Sequence, residues 1–215
     1  MIFGNNKNIA VAVFGTDYAE LSETEYMSEF IPEYRVKKSE RYRKFSDRVN
    51  CIVSYFLLYR ILKNNFGISE IPEICFNDYG KPFFINEKIY FSISHCDGAV
   101  CCCVSECDVG TDIQDKIYSY EDIAESVLSE NELGLLHGSD VPAETFTELW
   151  TFKESYLKFK GTGITDSLSD IDFLSFRKKE KICFSTVWKN NFCISSCSEK
   201  ELSHYFLTMN ELLNN

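Results

Sequence analysis

Apolar positions along this chain follow two periods. Ile9-Ala-Val-Ala-Val-Phe14 is a short, uninterrupted apolar run and predicts a strand. Further on the period becomes helical. Val49, Ile52, Val53, Phe56, Leu57 and Ile61 recur at helical spacing, with Ser46 or Asp47 placed to cap the helix and Gly67 beyond its end. That stripe is core. Asn77-Asp-Tyr-Gly80 is a turn signal ahead of Lys81-Pro82 and the apolar Phe83-Phe84-Ile85. Ile89–Ser94 and Ala99–Val104 predict the two strands of a hairpin across Asp97-Gly98, and Val109–Ile113 predicts a third strand.

The second half opens with helical signals. Ser119 with Asp122, and Ser129 with Glu132, have the spacing of capping boxes. Thr147–Lys160 is the clearest helix, stopped by Gly161 and Gly163. The stretches 171–176 and 182–188 alternate, and 192–195 and 205–209 complete a set of strands. Each half is therefore helices plus a small antiparallel sheet, an α+β chain with no low-complexity linker.

Composition narrows the function classes. The 215 residues carry a net charge of −11, so a nucleic-acid partner is not expected. The first 15 residues lack the charged and apolar regions of an export signal, and nothing approaches a membrane span. A soluble, unexported, cytoplasmic monomer is expected. Its ten cysteines are then reduced and mostly buried. Against the acidic background, residues 32–45 hold Arg35, Lys37, Lys38, Arg41, Arg43 and Lys44. Charge alone leaves two readings level: a solvated helix face or a grip on an anionic ligand.

Candidate chemistry concentrates in SHCDGAVCCCVSECDVGTDIQ, residues 94–114. The thiols do not have the paired spacing of a zinc site: Cys101, Cys102 and Cys103 are consecutive, and on a strand Cys102 faces away from the other two. Cys96 beside His95 lacks the orienting third group of a nucleophilic pair. Asp112 and Gln114, two apart on a strand, present oxygens on one face, and Glu154 on the later helix can close such a site around a hard divalent cation. A bare Asp-x-Gln equally suits a solvated strand end. Trp150, Glu154 and Lys158 share one helix face; an ordinary Glu–Lys pair and a phosphate-binding pair both fit that spacing.

Taken in order, these pieces resemble the 4′-phosphopantetheinyl transferases of the larger, surfactin-synthetase-activating type. The basic run leads into a long helix, followed by Tyr79-Gly-Lys-Pro82, Phe91-Ser-Ile-Ser-His95, Val109-Gly-Thr-Asp-Ile-Gln114 and Trp150-Thr-Phe-Lys-Glu-Ser155 with Lys158 and Lys160-Gly-Thr-Gly163. The resemblance implies transfer of the phosphopantetheine arm of coenzyme A to a serine of an apo acyl or peptidyl carrier protein, with release of 3′,5′-ADP. It implies two pseudo-symmetric halves, 1–108 and 109–215, enclosing a cleft for coenzyme A and Mg2+. It also implies roles: Asp112, Gln114 and Glu154 toward the metal; Lys158 and His95 toward phosphate, with Ser94 at the same turn; Lys81 and Pro82 at the nucleotide; Lys38 and Arg41 toward the 3′-phosphate; Glu154 as the base. The nucleophile would belong to the partner.

One position departs from the family pattern. The usual third metal ligand is Glu, and here it is Gln114, which implies a weaker or more hydrated Mg2+ site, with Mn2+ as a second candidate. A coenzyme A-binding homologue without transferase activity is the rival reading that this residue supports; a structural thiol–metal protein is the other. Carrier proteins are typically acidic, as this chain is, so docking is expected to need a local apolar or basic patch near the cleft, and the resemblance puts the docked carrier near the region between Ser119 and His137.

Overall fold

A computed structural model describes residues 6–163, 168–173 and 182–214. β1 (Ile9–Phe14) lies inside a four-stranded sheet with β4 (Tyr90–Cys96), β5 (Ala99–Ser105) and β9 (Ser203–Thr208), in the order β4-β5-β1-β9. β5 pairs antiparallel with both neighbours, whereas β9 runs parallel to β1, with Ile9 opposite Ser203. A second sheet orders β6 (Val109–Asp115), β8 (Phe192–Ser198) and β7 (Cys183–Lys189), all antiparallel. The two-residue Asp97-Gly98 turn closes the β4–β5 hairpin, with Gly98 at φ +77°. The strand expected at Val109–Ile113 forms as β6 and pairs with β8 rather than with the hairpin.

These sheets stack between two long helices. α3 (Phe45–Ile61) covers the outer face of the first sheet, where it meets Val11, Val13, Val100, Cys102 and Val104. The inner face carries Ala12, Ala99 and Cys101 against Ile113 and Ile194 of the second sheet. α6 (Pro142–Lys160) closes the stack on the other side. β1 and β5 are therefore buried on both faces, which explains their unbroken apolar runs. It also explains Cys101 and Cys103, while Cys102 packs under α3. Small side chains suit the narrow space between sheets, where Cys101 lies 3.2 Å from the Thr111 hydroxyl and Cys103 3.5 Å from that of Ser196.

The helix boundaries need four corrections. α3 begins at Phe45 with Lys44 at its N-cap; Asp47 sits in the first turn, where it faces the helix's positive end, rather than capping it. Beyond Ile61 the helix widens into a π-turn over Leu62–Phe66 and stops at Gly67, φ +71°. α6 starts five residues before the predicted Thr147, at Pro142, a first-turn position that needs no amide donor. The Ser129–Glu132 capping box forms at α5 (Glu130–His137), but Ser119 does not cap: α4 (Glu121–Val127) has Tyr120 at its N-cap. The alternating stretch 171–176 is not a strand at 171–173, and its remaining residues lie outside those described.

Gly110 fixes how closely α6 approaches β6. A Cβ there would lie 2.0 Å from the Ser155 carbonyl oxygen and 2.3 Å from the Phe159 amide nitrogen. Backbone atoms in the middle of a helix cannot move aside cheaply. Gly110→Ala is expected to cost roughly 3 kcal/mol in urea unfolding; a loss under ~0.5 kcal/mol would show that the contact is not tight.

Candidate active site

α6 brings Glu154 and Lys158 over the end of β6, and β4 brings Ser94 and His95 beside them. The three elements meet at Asp112. Its Oδ1 accepts a hydrogen bond of 2.6 Å from the Ser94 hydroxyl and one of 2.6 Å from Lys158 Nζ, which also donates to Ser94 Oγ at 3.0 Å. Asp112 is 2% exposed, so this ammonium partly offsets the cost of burying its charge. A further bond, from the Thr111 amide to Ser92 Oγ at 3.1 Å, holds β4 and β6 together across the sheet boundary.

Two carboxylate oxygens remain without a hydrogen-bond partner among the described residues: Asp112 Oδ2 and Glu154 Oε1, both buried. Burial, then the Asp112 charge, pushes the Glu154 carboxyl above the usual range, and Lys158 opposes them. Unsatisfied buried acceptors of like charge are costly, and a hard cation is the partner that suits both. Gln114 lies on the same face of β6 as Asp112, by strand alternation, and is half-buried. Among the described residues no three His, Cys, Asp or Glu side chains form a metal-binding group.

A cleft of about 340 Å³ opens over these groups. One wall is Glu154, Leu157 and Lys158 of α6; the other is Arg35, Tyr55 and the His95 end of β4. The floor is the hairpin of β2 (Ile74–Phe76) and β3 (Pro82–Phe84), whose turn is latched to the end of α6. Asn77 Nδ2 donates to the Gly161 carbonyl at 2.7 Å, and Lys81 Nζ donates to the Phe159 carbonyl and to Asp108 Oδ1, both at 2.8 Å. The left-handed Gly161, φ +67°, ends α6 at that latch. His95 keeps an exposed ring, yet the cleft walls and then the Lys158 and Arg35 charges hold its imidazolium below the usual range.

The structure thus brings together Ser94, Asp112, Glu154 and Lys158, with His95, Lys81 and Pro82 around the same cleft. Lys38 and Arg41 do not line it. They are exposed and border a separate depression with Tyr34, Lys37 and Tyr42, although the Lys38 charge still reaches His95. The basic side chain that faces the cleft is Arg35. Its guanidinium lies 4.0 Å over the Tyr55 ring, and its buried Nε has no hydrogen-bond partner among the described residues. Sequence reasoning missed it. The available signal was its position four residues before Ser39, which puts both on the inward face of α2 (Glu33–Ser39). Trp150 packs on Phe146 rather than joining Glu154 and Lys158 at the cleft.

Comparison with known proteins gives a consistent picture. Residues 108–209 match the 4′-phosphopantetheinyl transferase superfamily. Over 194 residues the chain is 32% identical to the L-aminoadipate-semialdehyde dehydrogenase-phosphopantetheinyl transferase of Saccharomyces cerevisiae, covering 75% of this chain and 69% of that protein. It is 33% identical over 143 residues to the 4′-phosphopantetheinyl transferase gsp of Aneurinibacillus migulanus, covering 65% and 60%. Over 145 residues it is 28% identical to the 4′-phosphopantetheinyl transferase Sfp of Bacillus subtilis, covering 65% and 64%.

Proposed function

Because the chain belongs to the 4′-phosphopantetheinyl transferase superfamily, we propose that it moves the phosphopantetheine arm of coenzyme A onto a serine of an apo acyl or peptidyl carrier protein, releasing 3′,5′-ADP. The observation that carries this reading is the buried pair of carboxylate oxygens without a partner among the described residues, Asp112 Oδ2 and Glu154 Oε1, beside Lys158 at a cleft. Transfer of a phosphoryl-type group asks mainly for positioning and charge neutralisation, and the described residues offer no activated nucleophile at the cleft.

Within this proposal Lys81, Arg35 and His95 hold the nucleotide and its phosphates. A Mg2+ held by Asp112 and Glu154, with the Gln114 amide oxygen as third protein ligand, would neutralise pyrophosphate charge. Lys158 leans from Asp112 toward the leaving phosphate oxygen. The carrier serine oxygen bonds to the phosphorus next to the pantetheine arm. The bond from that phosphorus to 3′,5′-ADP breaks, and the serine proton passes to Glu154 directly or through one water. Release of 3′,5′-ADP, followed chromatographically, is expected only when coenzyme A, apo carrier and Mg2+ are all present. Release without carrier, or none with any carrier, would refute the reading.

Gln114 sets the metal demand. A neutral amide ligates without adding charge, and ligand charge tunes the affinity of such sites. Gln114→Glu is expected to lower the Mg2+ concentration for half-maximal rate about tenfold. Equal requirements in the two proteins would remove Gln114 from the metal site.

A further inference from the structure

The hairpin that floors the cleft stands apart from both larger sheets. β2 and β3 form a two-stranded sheet of their own, with 3 residues in each strand. Such a hairpin is marginal by itself, so its place depends on what it is fastened to. Its base is held by packing, where Phe84 stacks on Phe91 of β4 with ring centroids 4.5 Å apart. Its tip carries the exposed Phe76 and Tyr79 and is held by polar contacts instead. Asn77 organises them. Its side-chain oxygen accepts from the amides of Tyr79 at 3.0 Å and Lys81 at 2.8 Å, which closes the turn, while its Nδ2 reaches across to the Gly161 carbonyl. The Lys81 stem lies over Gly161, where a Cβ would come within 2.7 Å of Lys81 Cδ. The Lys81 ammonium donates to the Phe159 carbonyl and to Asp108.

These contacts have a physical cause. The last carbonyls of a helix lack partners within it, and a cation is favourable at that end. At the end of α6 the Leu157 carbonyl accepts from the Gly161 amide, the Phe159 carbonyl from Lys81 and the Gly161 carbonyl from Asn77. The hairpin tip therefore caps the helix that carries Glu154 and Lys158. Asp108, just before β6, pairs with the same Lys81 ammonium at 2.8 Å. We propose that Asn77, together with Asp108 acting through Lys81, is a positioning residue for coenzyme A. It fastens the turn to the end of α6 and so fixes the wall formed by Tyr79, Gly80 and Pro82 against the helix of Glu154 and Lys158. The inference rests on the transferase reading and narrows the part of Lys81 in it: Lys81 works through the turn it fastens rather than as a charge on a phosphate. Without the latch the turn spends time in positions that do not bind, and apparent affinity falls by the fraction of time it is in place.

The test breaks the latch and keeps the turn. Asn77→Ser retains a hydroxyl acceptor for the turn amides but is too short to reach the Gly161 carbonyl. The dissociation constant of coenzyme A, by calorimetry, is expected to rise about tenfold, and that of dephospho-coenzyme A by the same factor within about twofold. At saturating coenzyme A, kcat should stay within about threefold of wild type, because α6 keeps its close packing on β6 at Gly110. Asp108→Ala, which frees the Lys81 ammonium, is expected to weaken both ligands about threefold. Tighter binding of either ligand by this variant would make Lys81 a phosphate contact and overturn the proposal. So would unchanged coenzyme A affinity in Asn77→Ser, a loss confined to coenzyme A over its dephospho form, or a fall in kcat with affinity kept. A urea midpoint that falls in step with affinity would make the contact structural and overturn it too. Wild-type protein that binds no coenzyme A would refute the transferase reading itself, a result distinct from each of these.

Discussion

Glu154→Gln is expected to lower kcat/KM for carrier modification by on the order of a thousandfold while leaving the fold intact. The size follows from three losses at one atom group. The amide cannot accept the serine proton. It contributes no charge to a cation shared with Asp112. And it leaves Lys158 without the second of its two anionic neighbours. Stability should change little, or rise, because Glu154 is already strained: its carboxyl is pushed above the usual range by burial and by Asp112, with Oε1 unpartnered among the described residues. Steady-state kinetics with urea unfolding checks both halves. A variant within tenfold of wild type would show that Glu154 is not the base, and a fold-wide collapse would make it structural.

Lys153→Met carries the largest expected effect on stability, about 3–5 kcal/mol. Lys153 stands one residue before Glu154, turned about 100° away from it around α6, and is fully buried with Glu132, Nζ to Oε2 at 2.6 Å. The ammonium also donates to the carbonyls of Val127, Leu168 and Ile171 at 2.7–2.8 Å. Glu132 in turn accepts from the Ser129 and Phe173 amides. Burial holds the Lys153 ammonium below the usual range, and Glu132 opposes that shift. Replacing only the lysine strands a carboxylate in the core, so the cost is mostly that of the uncompensated charge. Lys153→Met/Glu132→Gln removes the charge but keeps one acceptor oxygen for only one of the two amides, and should recover about half of the loss. Urea unfolding of the three proteins reads this; a single-variant loss below ~1 kcal/mol would contradict it.

Much of the scaffold was legible because its signals are local. The stripe from Val49 to Ile61, the Asp97-Gly98 hairpin, the Asn77–Gly80 turn and the glycine after Lys160 each follow from neighbours along the chain. Assignment of strands to sheets was not. β9 lies far from β1 in sequence yet pairs with it in parallel, and β6 leaves the hairpin it follows for a second sheet. Those choices depend on burial across layers, which no window of sequence contains. The site divides in the same way. Asp112, Glu154, Lys158, Ser94 and His95 were readable from motif order, and the structure gathers them within one cleft or one hydrogen-bond cluster. The basic segment was readable only as charge. Which of its side chains turns inward is decided by the packing of α2 on α3, and that packing selects Arg35 over Lys38 and Arg41. Of the cysteine triplet, conspicuous in sequence, Cys101 and Cys103 fill a narrow space between two sheets and Cys102 packs under α3.

The most direct measurement is the intact mass of an apo carrier protein after incubation with this protein, coenzyme A and Mg2+, beside the same reaction with Glu154→Gln. The account predicts a gain of one phosphopantetheine, mapping to a single carrier serine, with wild type and almost none with the variant. Equal gain in both, or none with wild type across several apo carriers despite measurable coenzyme A binding, would contradict it.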